Sequence, residues 1–292
     1  MKFSIVIPIA PNRDAEVVES LKKIDYPKDD YEIIIEKGTN TSENRNNGVK
    51  KAKFDTILFL DDDAYLEKDL LKNINSFLED NSDVDIVGGV QLTPKDDTRF
   101  GKVSGVALSS FFGAYKMSNR YLGNKINLNA SEKDLTSAIC VVKKRVFNKI
   151  GGFDKKYFPG EDPEFFTRAK ENGFKIASDP NIKIYHKRRP TLSSLFKQIY
   201  LYGLVRPKIT KCSMDPVFAI PSMFLVYLVL LPFLVFVNKL FLIPLLLYVV
   251  IALLFSFYES IKNKKALFLL PFLYLTIHLA YGLGFIVGLV ND

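Results

Sequence analysis

The chain has 292 residues, of which 48% are hydrophobic, and a formal net charge of +8. This composition excludes a disordered or fibrous protein, and two cysteines are too few for a disulfide scaffold. Residues 1–181 hold 28 basic and 29 acidic side chains, whereas residues 182–216 hold eight basic ones and a single acid. Because the positive excess lies in one short stretch, we expect no nucleic-acid partner.

The first part of the chain alternates between apolar runs and helical patterns. The runs predict strands at 4–7, 31–35, 56–60 and 85–92, with helices at 15–24, 42–53 and 66–78 between them. This order implies an α/β domain whose sheet is parallel and covered by helices on its faces. Ligands of such sheets bind at the carboxyl ends of the strands, where segments 8–13, 36–47 and 61–63 fall.

Three adjacent carboxylates, Asp61, Asp62 and Asp63, directly follow the third apolar run. Such charges repel one another unless a cation or solvent screens them. The triplet therefore indicates either a Mg²⁺ or Mn²⁺ site or a solvated acidic turn before a helix, and its own residues leave both open.

A second acidic pair, Glu161 and Asp162, opens a later helix. Carboxylates are ordinary at a helix N-terminus, but one of this pair can act as a general base if both acidic groups line one cleft. His186 and the arginines Arg188 and Arg189 follow a short strand at 182–185, and arginine matches the geometry of a diphosphate. Attraction to an anionic membrane leaflet explains these basic residues equally well.

The C-terminal third of the chain predicts a membrane domain. Uncharged runs at 217–237, 240–257 and 266–290 are each close to the roughly 20 residues that cross a bilayer. The short gap at 238–239 leaves open whether 217–257 crosses twice or forms a re-entrant hairpin. Residues 191–216 predict a basic amphipathic helix and linker lying on the membrane.

The chain shows no N-terminal signal peptide, so we expect residues 1–190 to stay in the cytosol. Basic residues before the first apolar run and between the second and third runs agree with this orientation. We therefore expect an integral, multi-pass membrane protein with three spans and a cytosolic catalytic domain.

Five motifs, in order along residues 4–206, resemble those of the family 2 glycosyltransferases, which have the GT-A fold. The first four are the opening strand and loop at 4–13, Asn44-Arg45-Asn46-Asn47-Gly48, the acidic triplet, and Gly151-Gly152-Phe153-Asp154 with Glu161-Asp162. The fifth, Gln198 with Tyr202-Gly203, is similar to a motif of membrane-attached members that build exopolysaccharides. The resemblance implies a Rossmann-like, mostly parallel sheet with helices on both faces, followed by the interface helix and the membrane helices.

The resemblance also implies roles. Asp162 would be the general base that deprotonates the acceptor, supported by Glu161. Asp63 would bind Mn²⁺ or Mg²⁺ on the diphosphate together with Asp61, and His186 is either a further metal ligand or a structural histidine. The implied nucleotide-sugar pocket consists of Pro8, Ile9, Asn12, Glu36, Arg45, Asp61 and Asp62. Residues Arg188, Arg189 and Gln198 would meet the diphosphate or the acceptor.

Glu36 stands where the family usually has an aspartate facing the base, so the donor nucleotide stays open between UDP and GDP. The implied reaction is an inverting, metal-dependent transfer of a sugar to a hydroxyl of a lipid-linked saccharide at the cytosolic membrane face. One alternative is a polyprenyl-phosphate glycosyltransferase, whose acceptor is a polyprenyl lipid. Another, from a different class, is an inactive binding or translocation subunit.

Overall fold

The computed structural model describes residues 1–123, 125–209, 215–264 and 267–291. They form two compact units. The first unit comprises Met1–Pro94 and Lys116–Lys187, and the second comprises Lys95–Tyr115 and Arg188–Asp292. Lys211 and Lys265, which belong to the predicted basic flanks, lie outside the described residues.

The described chain contains seven strands and eleven α-helices. The strands are β1 (Phe3–Ile9), β2 (Tyr31–Lys37), β3 (Thr56–Leu60), β4 (Ala64–Leu66), β5 (Ile86–Leu92), β6 (Ile139–Lys143) and β7 (Ile176–His186). The helices are α1 (Val17–Leu21), α2 (Thr41–Lys51), α3 (Leu70–Asp80), α4 (Arg99–Ser109), α5 (Phe111–Ala114), α6 (Lys144–Ile150), α7 (Glu161–Glu171), α8 (Leu192–Ile209), α9 (Ile220–Val237), α10 (Ile243–Lys262) and α11 (Leu270–Val290).

The strands of the first unit form one mixed sheet in the order β2-β1-β3-β6-β5-β7-β4. The pairs β1–β2, β1–β3 and β5–β7 are parallel. The other three pairs are antiparallel, because β6 enters the sheet in reverse between β3 and β5, and the short β4 turns back against β7. The predicted α/β class is confirmed, with a sheet that is less parallel than expected.

Apolar side chains cover both faces of this sheet. Successive residues of a strand point to opposite faces, so Ile5 and Ile7 of β1 pack in one core with α1 and α3, while Val6 packs in a second core with α2 and α7. The helical spacing predicted for 66–78 is realised in α3, whose buried face includes Leu71 and Ile74. These two cores hold the strand ends in place.

The second unit contains the apolar C-terminal helices. Three segments are long and apolar enough to cross a membrane, namely Pro216–Val237, Lys239–Lys262 and Leu270–Val290. The three predicted runs are therefore confirmed as helices of spanning length. The predicted interface helix is α8, which ends at Ile209 and whose residues Leu195 and Ile199 are buried against its neighbours.

Helices α4 and α5 belong to this second unit, although they lie between β5 and β6 in the sequence. The ring of Phe112 contacts the rings of Phe255, Tyr274 and His278, with centroid distances of 5.1–5.2 Å. The Nε2 atom of His278 also lies 2.8 Å from the carbonyl oxygen of Phe112, and its Nδ1 atom lies 2.9 Å from the hydroxyl of Tyr248. These contacts anchor α5 to α10 and α11.

Candidate active site

Three neighbouring parallel strands bring polar residues to one edge of the sheet. In the register of β1 and β2, Pro8 pairs with Glu36, and the acidic triplet follows β3 on the other side of β1. Pro8 and Ile9 are buried within β1, and Asn12 is exposed in the turn after it. The predicted meeting of these segments is therefore seen in the structure.

Asp61, Asp63 and His186 form one cluster at this edge. The Nε2 atom of His186 lies 2.8 Å from Oδ1 of Asp63 and 3.8 Å from Oδ2 of Asp61. His186 arrives there because β7 pairs antiparallel with β4, which places it opposite Ala64. One ligand atom from each of the three side chains lies within 4.8 Å of the others, so the group could hold a metal ion.

The chemistry of these donors fits Mn²⁺. Carboxylate oxygens suit Mg²⁺ and Mn²⁺, whereas an imidazole nitrogen favours a transition-metal ion over Mg²⁺. The side chains of Asp61, Asp63 and His186 are 21–34% exposed, so an ion bound to them would still be open to the oxygens of a ligand.

The three aspartates differ in pKa. Burial raises the pKa of Asp61 despite the nearby cations, and burial together with the charge of Asp63 raises the pKa of Asp62 to about 6. Burial acts in the same direction on Asp63, but His186 and Arg13 outweigh it and lower its pKa below the usual range. Asp63 is thus the member of the triplet that is most firmly anionic.

Arg13 is a cation of this site that was not among the predicted site residues. Its Nη2 atom donates to Oδ2 of Asp63 at 2.8 Å, and its Nε atom lies 3.1 Å from Oδ2 of Asp62. Its position within 8–13, a segment predicted to lie with the acidic triplet at the carboxyl ends of the strands, was the available signal. The side chain of Arg13 is 49% exposed, so its guanidinium is a partly solvated counter-charge at the mouth of the site.

Arg45 links the two acidic motifs. Its side chain is 5% exposed; Nη1 donates to Oε1 of Glu161 at 2.6 Å, and Nη2 lies 3.5 Å from Oδ1 of Asp61. The guanidinium also lies over the ring of Phe153, 5.5 Å from its centroid. The predicted role of Arg45 was a nucleotide contact, and the structure adds a buried bridge between β3 and α7.

The neighbouring residues of the Asn44–Gly48 motif hold the loops around Arg45. The Nδ2 atom of Asn44 donates to the carbonyls of Ile9 and Gly38, which joins the ends of β1 and β2. Asn46 donates to the carbonyl of Phe153 and accepts from its N–H, at 2.8 and 2.9 Å. The motif is therefore a structural clamp as well as a candidate binding segment.

Asp162 and Glu161 occupy different environments at the start of α7. Glu161 is buried in its ion pair with Arg45, and burial raises its pKa although the guanidinium opposes the change. Asp162 is partly exposed and accepts only a long hydrogen bond, 3.3 Å, from the N–H of Ser137 among the contacts seen. Of the pair, Asp162 has the carboxylate that is available to a ligand.

Glu36 lies at the end of β2, as predicted, with its side chain 11% exposed. Its Oε1 atom lies 2.6 Å from Nζ of Lys51, which is on α2. The carboxylate is therefore charge-balanced and can still accept a hydrogen bond through its other oxygen.

The remaining predicted residues belong to the second unit. The buried Arg188 donates its backbone N–H to Oδ2 of Asp97 at 2.9 Å, whereas Arg189 is exposed. Gln198 donates to the hydroxyl of Tyr202 at 2.9 Å, which pairs two residues of the fifth motif. Their roles toward a diphosphate or an acceptor stay predictions.

A family model described as "Glycosyltransferase like family 2" matches residues 1–200. This match covers more than half of the chain and includes the whole site. The chain belongs to this glycosyltransferase family. It is accordingly a nucleotide-sugar-dependent glycosyltransferase, and the predicted family is confirmed.

One relative is similar along nearly its full length. It is a Methanococcus voltae protein named "Dolichyl N-acetyl-alpha-D-glucosaminyl phosphate 3-beta-D-2,3-diacetamido-2,3-dideoxy-beta-D-glucuronosyltransferase". It is 23% identical over 333 aligned positions, which cover 99% of this chain and 97% of that protein. The narrower likeness to members that build exopolysaccharides stays a prediction.

A solved structure supports the fold. The mannosyltransferase PcManGT from Pyrobaculum calidifontis, in complex with GDP-Man and Mn²⁺, aligns with all of this chain and 88% of its own, with a TM-score of 0.61 and 14% identity. TarS 1-349 of S. aureus in complex with UDP-GlcNAc covers 74% of this chain and 69% of its own, with a TM-score of 0.49 and 18% identity. The GT-A-like architecture followed by long apolar helices is thus confirmed.

Proposed function

We propose that this enzyme transfers a sugar, with inversion, from a nucleotide sugar to a hydroxyl of a lipid-linked saccharide. The observation that carries the proposal is the meeting of a candidate metal group and an available carboxylate in one site: Asp61, Asp63 and His186 on one side, and Asp162 on the other. The two groups are held by adjacent residues, because the N–H of Asp61 donates to the carbonyl oxygen of Ala138 at 3.3 Å and Asp162 accepts from the N–H of Ser137. Donor diphosphate and acceptor hydroxyl can therefore be handled at neighbouring positions.

Asp61, Asp63 and His186 would hold Mn²⁺ or Mg²⁺. A bound divalent ion supplies charge stabilisation to the departing nucleoside diphosphate. The protein's own cations add to this, because Arg13 lies at the mouth of the same group. The end of β1, Asn12 and Glu36 are the proposed contacts of the nucleoside, which we leave open between UDP and GDP.

Asp162 is the proposed general base. Its carboxylate accepts the proton of the acceptor hydroxyl as the new bond from that oxygen to the anomeric carbon forms and the bond from the carbon to the diphosphate breaks. A single displacement of this kind inverts the anomeric configuration. Arg45 fixes Glu161 beside the base, so Glu161 supports the geometry of the site rather than taking the proton.

The lipid-linked acceptor is supported by two observations. Three helices have the length and apolarity to cross a membrane, and the near-full-length relative from Methanococcus voltae has a dolichyl phosphate saccharide in its name. We propose that the protein is an integral membrane enzyme whose first unit faces the cytosol. A domain boundary near residue 190, with Arg188, Arg189 and Gln198 near the acceptor, belongs to the same proposal.

The test is a transfer assay on the full chain in detergent, with Mn²⁺, a panel of UDP and GDP sugars and a dolichyl-phosphate-linked saccharide. Asp162→Asn should lower transfer by about 10²–10⁴-fold while nucleotide binding stays nearly intact. Glu164→Gln is the matched control, because Glu164 is in the same helical turn but pairs with Arg168 at 2.7 Å. Full turnover in Asp162→Asn would remove this residue from the role of base.

Product analysis separates the alternatives. Mass spectrometry of the lipid product distinguishes a sugar joined to a saccharide hydroxyl from a sugar joined directly to a polyprenyl phosphate. The second product would favour the polyprenyl-phosphate enzyme, whose anionic acceptor has little need of a base. If the protein turns over none of the donors in the presence of Mn²⁺, the result would favour an inactive subunit.

A further inference from the structure

Arg13 and His186 neutralise the carboxylate of Asp63 from two sides. Nη2 of Arg13 donates to Oδ2 of Asp63 at 2.8 Å, and Nε2 of His186 lies 2.8 Å from Oδ1 of the same carboxylate. Arg13 also reaches Asp62, whose Oδ2 atom lies 3.1 Å from Nε of the guanidinium. One guanidinium therefore balances two of the three carboxylates that follow β3.

The contact of Arg13 with Asp63 opposes the binding of a divalent ion to the candidate metal group. Asp61, Asp63 and His186 each provide one ligand atom of that group. An ion bound to Asp63 would lie a few ångströms from the guanidinium, and like charges at such a distance repel each other. Arg13 and the ion therefore compete for the same negative charge.

The backbone around Arg13 is held on both sides, whereas its side chain is partly in solvent. Its own N–H donates to the carbonyl oxygen of Ala10 at 3.2 Å, and the N–H of Val17 donates to that of Asp62 at 2.9 Å. The side chain of Arg13 is 49% exposed. Arg13 can therefore change partners by rotation about its own χ angles while the turn stays in place.

The position of Arg13 gives it a second anionic partner when the donor binds. Its turn directly follows β1, at the carboxyl edge of the sheet where ligands of α/β domains bind. A guanidinium matches the oxygens of a diphosphate and binds them through charge-assisted hydrogen bonds. A diphosphate at this edge carries more negative charge than one carboxylate, so it draws Arg13 away from Asp63.

We propose that Arg13 is an exchangeable counter-charge that makes the binding of the metal ion and the binding of the donor depend on each other. In the free enzyme Arg13 neutralises Asp62 and Asp63. In the complex it lies on the donor diphosphate and leaves Asp63 to the ion. By linkage, the donor then strengthens the binding of the ion by the same factor by which the ion strengthens the binding of the donor. This inference rests on the proposed transfer from a nucleotide sugar, in which Arg13 is a positioning residue.

An exchange of this kind gives the variant Arg13→Gln effects of opposite sign on the two ligands. The variant loses a competitor of the ion, so the nucleotide-free protein should bind Mn²⁺ more tightly. It also loses a partner of the diphosphate, so the nucleoside diphosphate should bind more weakly in the presence of Mn²⁺. A residue that only stabilises the turn would weaken both, and a residue that only binds the diphosphate would leave Mn²⁺ binding unchanged.

The measurement is titration calorimetry on the full chain in detergent. MnCl₂ is titrated into the nucleotide-free protein, and UDP and GDP are titrated into the protein at saturating MnCl₂. For Arg13→Gln we expect Mn²⁺ to bind about 3- to 10-fold more tightly, and the diphosphate that the wild type prefers to bind about 10-fold more weakly. Arg13→Lys retains the charge and should bind Mn²⁺ as the wild type does.

Lys175→Gln is the matched control, because it removes the same charge from another exposed ion pair of the first unit. Lys175 pairs with Asp83, and both side chains are 61% exposed. Lys175 directly precedes β7, whereas His186 ends this strand at the site, so a whole strand separates the control from the candidate metal group. We expect both affinities of Lys175→Gln to equal those of the wild type.

Changes of one sign for both ligands in Arg13→Gln would overturn the proposal, as would unchanged binding of Mn²⁺. Tighter binding of Mn²⁺ in Arg13→Lys or in Lys175→Gln, equal to that in Arg13→Gln, would also overturn it, because the charge at position 13 would then not be the cause. If the wild type binds neither UDP nor GDP in the presence of Mn²⁺, the proposed function fails as well. Binding by the wild type with changes of one sign in Arg13→Gln refutes only the exchange.

Discussion

Replacing Arg45 by methionine removes one partner of a buried ion pair and leaves the other in place. Arg45 and Glu161 are each at most 5% exposed, and their side chains meet at 2.6 Å. Breaking such a pair from one side costs about 3–5 kcal/mol, because the remaining charge is buried without compensation. At about 2–4 °C per kcal/mol for a domain of this size, we expect the melting temperature to fall by roughly 6–20 °C.

The measurement is a far-UV circular dichroism melt of the full chain in detergent, since the sequence contains no tryptophan. The double variant Arg45→Met/Glu161→Gln should recover a large part of the loss, because the buried charge of Glu161 is then no longer stranded. Lys155→Met is the control: its ion pair with Glu43 is 2.8 Å long but more than half exposed on both sides, and such pairs contribute about 1 kcal/mol at most.

Two results would refute this reasoning. One is a melting temperature of Arg45→Met within about 2 °C of that of Lys155→Met, a difference equivalent to about 1 kcal/mol or less. The other is a double variant that melts no higher than Arg45→Met, which would mean that the stranded charge of Glu161 is not the cause.

Three further changes probe other contacts. Arg13→Gln should tighten the binding of Mn²⁺ to the nucleotide-free protein about 3- to 10-fold in a calorimetric titration, since it removes a competing cation from Asp63, and equal or weaker binding would contradict this. Gly284→Val should lower the melting temperature far more than Leu283→Ala. The valine side chain overlaps the backbone of α8, which costs ~1–3 kcal/mol, whereas the alanine replaces an exposed side chain. His278→Phe should cost about 1–3 kcal/mol through two lost hydrogen bonds, and an unchanged melt would show that they contribute nothing.

The edge of the sheet that carries the site was predictable because it depends on local order. Each apolar run ends where polar residues begin, and adjacent parallel strands bring Glu36 and Asp61 to the same edge. The motif order along the chain predicted Asp162 as a second member. These inferences need only the alternation of strands and helices.

The partners within the site were less predictable, because they join positions far apart in the chain. Arg45 and Glu161 are 116 positions apart, and nothing in their spacing indicates that the guanidinium is buried. His186 reaches the triplet through the antiparallel pairing of β4 with β7, a direction opposite to the one expected for the sheet. Its role was left open because a structural histidine at the end of a strand looks the same in the sequence.

The helix α4 was not predicted either. Arg99–Ser109 contains two glycines and four charged or hydroxylated residues, so its apolar spacing is weak. The preference for helix comes instead from packing in the second unit, where Gly101, Gly105 and Leu108 are buried. Tertiary contacts of this kind outweigh local propensity.

The interleaving of the two units has a consequence for synthesis and for truncation. Phe112 packs on His278, which is 166 positions later, so α5 leaves the ribosome long before its partners exist. Strand β5 precedes this segment and β6 follows it. The sheet can therefore form while the apolar side of α5 is still exposed to water. A version ending near residue 190 would expose that side permanently, and we expect it to aggregate. A soluble catalytic fragment requires the apolar residues of α5 to be redesigned together with the cut.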